Sequence, residues 1–112
     1  MNKHLQQRVE SLFNAHNKVT LATCGPAGPQ ISIVTYSVKQ LRLHLTLTHG
    51  SDHLFNLETM PSLVLMTIGW RLHGKRHAIS DDNHQQATVI VTGTRLHILS
   101  NDGQNTIETI DF

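Results

Sequence analysis

The chain has 112 residues and a formal net charge of +1, and 15% of its residues are charged. A chain of this length predicts one domain, residues 1–112, around a single hydrophobic core. Its lysines and arginines are scattered, which argues against a nucleic-acid-binding surface. With Cys24 as its single cysteine, no signal peptide and no apolar run of membrane length, we expect a cytoplasmic protein away from membranes.

Residues 4–16 predict an amphipathic helix. Apolar positions and one histidine recur there at spacings of three and four: Leu5, Val9, Leu12, Phe13 and His16. The residues between them are polar, so one face of this helix is expected to pack on the core. Asn17 is predicted to end the helix, because asparagine tolerates the left-handed conformation found at many helix ends.

From Lys18 onward the hydrophobic period changes to two, which predicts strands. The stretch KVTLATC is interpreted as a first strand, GPAGP as a turn and QISIVTYSV as a second strand. In LRLHLTLT the alternation is strict, with four leucines on one face and polar residues on the other. We therefore expect three consecutive antiparallel strands.

The second half of the chain begins with a short helix, predicted from about Ser51 to Glu58 and stopped by Pro61. SLVLMTIGW predicts a buried strand, and the polar residues 71–86 predict a long loop. In the final long strand, ATVIVTGTRLHIL, the apolar side chains change from odd to even positions, which a bulge near Gly93 would reconcile. A last short segment, TIETI, follows.

Together these elements predict a mainly β fold. Five or six strands, an N-terminal helix and one short helix after the third strand suggest a small, partly closed antiparallel barrel. Such a barrel exposes strand edges. A homodimer that covers those edges is therefore expected.

The order of these elements resembles the FMN-binding split barrel of the pyridoxamine 5′-phosphate oxidase-like superfamily. The segments that carry the resemblance are LATCGPAGPQIS, LTHGSDHLFNLETMPSL and VTGTRLHI, and it is clearest between Lys18 and Leu99. It implies a homodimer with FMN at the subunit interface. It also implies a flavin-dependent oxidoreductase acting on a small-molecule redox substrate, which the sequence does not identify.

In that family a turn of the form Thr, two residues, then Ser-Arg-Lys follows the third strand and holds the FMN phosphate. The resemblance places Thr48 and Ser51 at the hydroxyl positions and Asn56 at a common asparagine of the next helix. Asp52 and His53 stand where arginine and lysine are usual. An aspartate repels the dianion, and His53 can attract it only when protonated, although a nearby phosphate would raise the pKa of His53. Asp52 can otherwise be an acid that stabilises its own helix and points to solvent.

The remaining implied contacts come from the second strand, where Ser32, Val34 and Thr35 would face the flavin ring. Oxidase members of the family also carry a C-terminal extension with basic residues that hold the vitamin B6 substrate, whereas this chain stops at Phe112. We therefore do not expect classical pyridoxamine phosphate oxidase activity. No side chain of the chain is required as an acid or base, so the catalytic residues stay unknown.

Two HxxxH pairs offer a rival interpretation as a zinc site, because on a helix this spacing aligns two imidazoles. The first pair, His49 with His53, straddles a glycine at a helix start. The second, His73 with His77, lies in HGKRH, where two cations would repel a metal. We expect no metal site.

Two strand histidines raise a second alternative. His44 and His97 stand beside Arg42 and Arg95, either as polar residues of an outer face or as contacts to an anionic or aromatic cofactor. Haem-handling branches of the same superfamily make haem the alternative cofactor. Cys24 is interpreted as a small hydrophobe buried on a strand.

The function thus stays open between two classes of protein. One is an FMN-dependent oxidoreductase, favoured by the TxxGS turn. The other is a non-enzymatic, dimeric binding protein whose phosphate site has decayed, favoured by Asp52 and the absent C-terminal arm. A haem-binding relative is the third possibility.

Overall fold

Two helices and seven antiparallel strands make up the fold, and the computed structural model describes all residues from 1 to 112. In chain order the elements are α1 (Lys3–Asn14), β1 (Lys18–Thr23), β2 (Gln30–Lys39), β3 (Arg42–Thr48), α2 (Asp52–Thr59), β4 (Ser62–Met66), β5 (Trp70–Asp81), β6 (Gln86–Leu99) and β7 (Thr106–Asp111). The strand order is β3-β2-β1-β4-β5-β6-β7, and pairing of β3 with β6 closes the first six strands into a barrel. The predicted mainly β barrel is therefore confirmed, with β7 added beside β6.

Inward-pointing side chains fill the barrel. On β3, Leu43, Leu45 and Leu47 are buried, whereas the residues between them are partly exposed, as the strict alternation predicted. Each fully buried leucine stabilises the fold by about 1.5–3 kcal/mol. The core is thus built from alternate positions of strands that are distant in sequence.

Helix α1 packs on the barrel through Val9 and Phe13, and the ring centroid of Phe13 lies 5.1 Å from that of Trp70. Barrel side chains also satisfy backbone carbonyls at the end of the helix. Tyr36 Oη donates to the carbonyl of Phe13 (2.5 Å), and Trp70 Nε1 donates to the carbonyl of Leu12 (3.3 Å). The carbonyl of Leu12 also accepts from the N–H of the C-cap residue Ala15 (3.4 Å), so barrel side chains and the cap together satisfy the last turn of the helix.

The helix ends at Asn14, earlier than predicted, and His16 is exposed rather than part of the packed face. The prediction that Asn17 ends it in the left-handed conformation was wrong, since Asn17 is not among the residues with positive φ. With the carbonyls capped by side chains from β2 and β5, a left-handed stop is not needed. Neither α1 nor α2 has the length and apolar character needed to cross a membrane.

The polar residues 71–86 are mostly strand, so the predicted long loop was wrong. Strand β5 pairs with β4 on one side and with β6 on the other, and residues 82–85 connect it to β6. Only Trp70, Leu72 and Gly74 of β5 are buried, which leaves a weak hydrophobic signal. Beyond them, ladder hydrogen bonds to neighbouring strands hold polar residues in the sheet.

A bulge on β6 lies where the change of hydrophobic parity predicted one. Thr94 is the extra residue, skipped between the partners of His73 and Gly74 on β5. Gly93 and Leu96 are both buried, whereas the two residues between them are exposed. The predicted bulge near Gly93 is confirmed, and it lets both halves of β6 point apolar side chains into the same core.

Candidate functional site

A cleft opens where β2 and β3 separate. Their pairing reaches Thr35 and Thr46; from there β3 stays paired with β6 as far as Thr48, whereas β2 runs along β1. Helix α2 begins beside the gap, with Ser51 as its N-cap residue. The cleft has a volume of about 310 Å³, which is at the lower end of the range for small-molecule sites.

The residues that the resemblance implied for the cofactor all line this cleft. They are Ser32, Val34, Thr35, Thr48, Ser51 and His53. The remaining lining residues are Ile33, Thr46 and Leu47. The cleft therefore offers several hydroxyl groups as hydrogen-bond partners, but its lining includes no lysine or arginine.

His53 is a buried polar side chain at the cleft, with 6% of its surface exposed. Its Nδ1 lies 2.8 Å from Thr23 Oγ1 and its Nε2 lies 2.7 Å from Ser32 Oγ. Its backbone N–H donates to Ser51 Oγ, which caps the helix. A neutral imidazole has one donor and one acceptor nitrogen, and each hydroxyl can serve either, so the ring is satisfied without a charge. His53 thus fastens α2 to β1 and β2.

Burial lowers the pKa of His53, and the negative charge of Asp52 opposes this only in part. The neutral imidazole is therefore favoured at neutral pH. Attraction of a phosphate by His53 would require the protonated ring. Asp52 itself is exposed in the first turn of α2. This placement suits an acid that stabilises its own helix by about 0.3–1 kcal/mol.

Asn56 is a site residue whose role the sequence did not reveal. It is fully buried; its Nδ2 donates to Thr23 Oγ1 (3.1 Å) and to the carbonyl of Gly28 (2.8 Å), and its Oδ1 accepts from the backbone N–H of Ala27 (2.8 Å). A Cβ on Gly25 would lie 3.0 Å from Asn56 Oδ1 and 3.1 Å from its Cα, so a side chain there would press against the buried amide. Asn56 thus holds the β1–β2 turn against α2. Asn56 follows His53 by three residues, so the two side chains lie on the same face of α2. This spacing is the sequence signal that could have indicated a buried role for Asn56.

Cys24 is exposed and follows the end of β1, so the prediction of a buried strand cysteine was wrong. The strand stops one residue before it, where the turn that Asn56 holds begins. The first HxxxH pair does not converge, because the His49 ring lies against the carbonyl of Asn83 (Nε2–O distance 2.7 Å) while the His53 ring is buried between α2 and the strands β1 and β2. No group of three or more His, Cys, Asp or Glu side chains is placed to hold a metal.

The two histidines considered for haem lie apart. His44, on β3, pairs with Ile90 in the first half of β6, whereas His97 lies near the end of β6. The His97 ring packs edge-on against His73, with 5.4 Å between ring centroids. Neither lines the cleft between β2 and β3.

No family model matches the chain, and no curated protein matches its sequence. Among solved structures it is similar to general stress protein 26 from Bacillus anthracis, with a TM-score of 0.74 and 12% identity over 97% of this chain and 99% of that one. A Clostridium acetobutylicum protein of the pyridoxinephosphate oxidase family, related to general stress protein 26 of B. subtilis, gives a TM-score of 0.70 and 14% identity over 100% and 96%. A haem-binding protein from Mycobacterium smegmatis gives 0.76 and 14%, over 99% of this chain and 59% of that one.

These identities are too low to carry function from one protein to another. The agreement nevertheless extends over nearly the whole of this chain in each case. It shows a shared fold, which in this chain is a closed antiparallel barrel with two helices. The predicted resemblance to the pyridoxamine 5′-phosphate oxidase-like split barrels is therefore confirmed at the level of the fold.

Proposed function

We propose that the protein is a cytoplasmic homodimer that binds FMN in the cleft between β2 and β3 and acts as a flavin-dependent oxidoreductase on a small-molecule substrate. One observation carries the proposal: the six residues implied by the resemblance, drawn from two strands, a turn and a helix start, come together around a single cleft. A concave site with converging polar groups is the usual form of a cofactor site.

The cleft suits the phosphate tail of FMN through neutral groups. Thr48 and Ser51 flank the turn before α2, where the positive end of the helix dipole favours an anion. Charge-assisted hydrogen bonds are roughly twice as strong as neutral ones. Since no lysine or arginine lines the cleft, we expect FMN to bind more weakly here than at a site that has an arginine.

The chain's own residues would bind and orient the cofactor. Thr48 and Ser51 would hold the phosphate, while His53 keeps the Ser32 hydroxyl at the cleft wall. Val34 and Thr35 would form the β2 side of the ring site. FMN, when bound, supplies hydride transfer, so none of these side chains must act as an acid or base.

An exposed apolar surface beside the cleft supports the homodimer. Ile33 lines the cleft yet is 70% exposed, and Ile31 is 75% exposed. Across β1, Met66 lies in the same row as Ile33 and is 41% exposed, and Ile68 is 80% exposed. Contiguous apolar surface of this kind marks interaction sites rather than a monomer's solvent face. A second copy covering it would also enclose the cleft.

The visible spectrum of the purified protein, followed by titration with FMN and with haem, tests the proposed cofactor. Absorption maxima of oxidised flavin, or saturable FMN uptake, would support the proposal. A Soret band would favour the haem alternative, which the fold similarity to a haem-binding protein keeps open. A colourless protein that takes up neither would favour the non-enzymatic dimer.

The placement of the phosphate is tested by Asp52→Arg, which replaces a repelling charge with a charge-assisted donor. FMN should bind about tenfold more tightly, as measured by quenching of flavin fluorescence. Glu58→Arg makes the same charge change at the exposed far end of α2 and should leave the affinity unchanged. Equal affinity in Asp52→Arg and the wild type would exclude this position for the phosphate.

The proposed dimer face is tested by Ile68→Glu, because a charge cannot be buried there without a partner. We expect the dimer to dissociate in sedimentation-velocity experiments. Ile107→Glu is the matched control, since Ile107 is 67% exposed on β7, outside this surface. A wild-type protein that sediments as a monomer would contradict the homodimer.

A further inference from the structure

Four basic side chains crowd the outer face of β5 and β6, and we call them the β5–β6 basic cluster: Arg71, His73, Arg95 and His97. In the strand register Arg71 pairs with His97 and His73 pairs with Arg95, so guanidinium and imidazole groups alternate. The two imidazole rings meet edge to face, with 5.4 Å between their centroids. The cluster therefore concentrates cationic groups from two adjacent strands.

A polar cleft of about 370 Å³ lies over this cluster, and it shares no lining residue with the cleft between β2 and β3. Besides three members of the cluster it is lined by Thr94 and Asp111. The bulge at Thr94 turns Arg95 and His97 outward beside His73. The outer face of the sheet is thus concave over the cluster.

The charges on this face are unbalanced. Asp111, on β7, is the carboxylate that faces the cluster, and it accepts a hydrogen bond from Arg95 Nε at 2.6 Å. The second guanidinium, Arg71, has a buried Nε without a hydrogen-bond partner. Counted over side chains, two guanidinium groups against one carboxylate leave an excess of positive charge even with both histidines neutral.

The groups around the two imidazoles are mostly cationic or uncharged. Burial and the charges of Arg71, His73 and Arg95 lower the pKa of His97, and Asp111 opposes them. The β4 partners of Arg71 and His73 are Met66 and Val64, which carry no charge. Lys75, farther along β5, is exposed and adds a third cationic side chain.

Hydrogen-bond donors of the cluster stay available to a ligand. His97 Nδ1 lies 3.2 Å from Thr109 Oγ1, which leaves Nε2 free. Arg95 uses Nε for Asp111, which leaves its terminal nitrogens free. Arginine offers donors only, and a neutral His97 can donate from Nε2 while Nδ1 accepts from the Thr109 hydroxyl, so an acceptor-rich ligand is the complement of this surface.

We propose that the β5–β6 basic cluster binds a phosphate dianion, either inorganic phosphate or the phosphoryl group of a small phosphomonoester. A tetrahedral dianion in this cleft can accept from the Arg95 guanidinium and from the His97 ring in charge-assisted hydrogen bonds, while Arg71, the strand partner of His97, adds a nearby positive charge. A metal ion on the two imidazoles is disfavoured, because both guanidiniums would repel it. This inference is independent of the proposed flavin site.

The test is an NMR titration of the imidazole resonances of the full chain with inorganic phosphate at constant ionic strength. The His73 and His97 signals should shift and saturate in the millimolar range, whereas His84, exposed in the β5–β6 connection, should not respond. Arg71→Gln combined with Arg95→Gln should weaken binding by at least about tenfold. An absent response, a response confined to His53, or saturation by Zn²⁺ but not by phosphate would each overturn the proposal.

A variant with the opposite sign separates ligand binding from a general loss of structure. Asp111→Asn removes the competing carboxylate, so phosphate should bind about two- to fivefold more tightly. Glu58→Gln, which removes one negative charge on α2, should leave the affinity unchanged. Weaker binding in Asp111→Asn would contradict the proposal.

The same titration with phenyl phosphate identifies the source of the phosphoryl group. Saturable shifts of His73 and His97 that match those with inorganic phosphate would support a phosphomonoester ligand. Binding of inorganic phosphate alone would support the free ion. A response to neither probe would overturn the site.

Discussion

The two histidine sites of this barrel differ in what surrounds the ring. His53 is 6% exposed, and its two ring nitrogens contact neutral hydroxyls on two strands. His73 and His97 lie on the outer face of β5 and β6 between guanidinium groups. The first site ties elements together, whereas the second gathers unpaired positive charge. The same side chain is thus a structural tie in one place and part of a candidate anion site in the other.

The largest effect is expected from breaking the buried site at Asn56. Asn56→Leu keeps the branched shape of the side chain but leaves the carbonyl of Gly28 and the N–H of Ala27 without their partner, and it leaves the Thr23 hydroxyl with His53 alone. We expect the free energy of unfolding to fall by about 3 kcal/mol in urea denaturation. Asn14→Leu, at an exposed position of α1, should change it by less than about 0.5 kcal/mol. Equal effects of the two variants would show that the buried amide is not a structural tie.

A smaller loss is expected from His53→Gln, because glutamine can replace at most part of the contacts to Thr23 and Ser32. The free energy of unfolding should fall by about 1–2 kcal/mol. The same variant should weaken FMN binding if the Ser32 hydroxyl belongs to the proposed site. A wild-type stability in this variant would mean that the two hydroxyl contacts contribute nothing.

The pH dependence of stability distinguishes the buried imidazole of His53 from the exposed ones. The folded chain holds the pKa of His53 below its unfolded value, so the unfolded chain binds more protons and stability rises with pH. The contribution of His53 to the free energy of unfolding should be fully present above about pH 6.5. It should decline as the pH falls below that value. The difference in unfolding free energy between wild type and His53→Gln should therefore shrink toward pH 5.

This pH-dependent difference needs a matched control, since the chain has 9 histidines. His84→Gln removes an exposed imidazole. Its unfolding curves should follow those of the wild type at every pH. A difference between wild type and His53→Gln that grows on acidification would contradict the assigned direction of the pKa shift.

The smallest effect on stability is expected at the outer site. His97→Gln should change the free energy of unfolding by less than about 0.5 kcal/mol, because the ring is only partly buried and its neighbours are like charges. The same variant should nevertheless weaken phosphate binding. A large loss of stability would show that the outer pair is a structural element like the buried one.

The sequence predicted those features of the fold that local patterns determine. The strict alternation of β3 and the parity change around Gly93 each lie within one strand, so they could be read without knowledge of the partners. The strand β5 could not, because polar residues are held there by pairing with β4 and β6. Where the stabilising contacts are non-local, composition alone predicts a loop.

The candidate site also contains both predictable and unpredictable features. The residues around the cleft came from a resemblance of short motifs, and the structure brings them together. The partners of His53 are 30 and 21 residues away in sequence, so no local pattern could show that its ring would be buried and uncharged. The exposure of Cys24 was missed for a related reason, since the end of β1 depends on a turn held by Asn56 from another element.

The bulge at Thr94 determines which face of the sheet each later side chain of β6 points to. Before it, odd-numbered side chains such as Val91 point inward; after it, Leu96 does, and Arg95 points out. If Thr94 instead took a regular place in the ladder, the remainder of the strand would be inverted, with Arg95 and His97 in the hydrocarbon interior and Leu96 exposed to water. One unpaired residue therefore determines both which side chains of this strand fill the core and which cationic groups face outward.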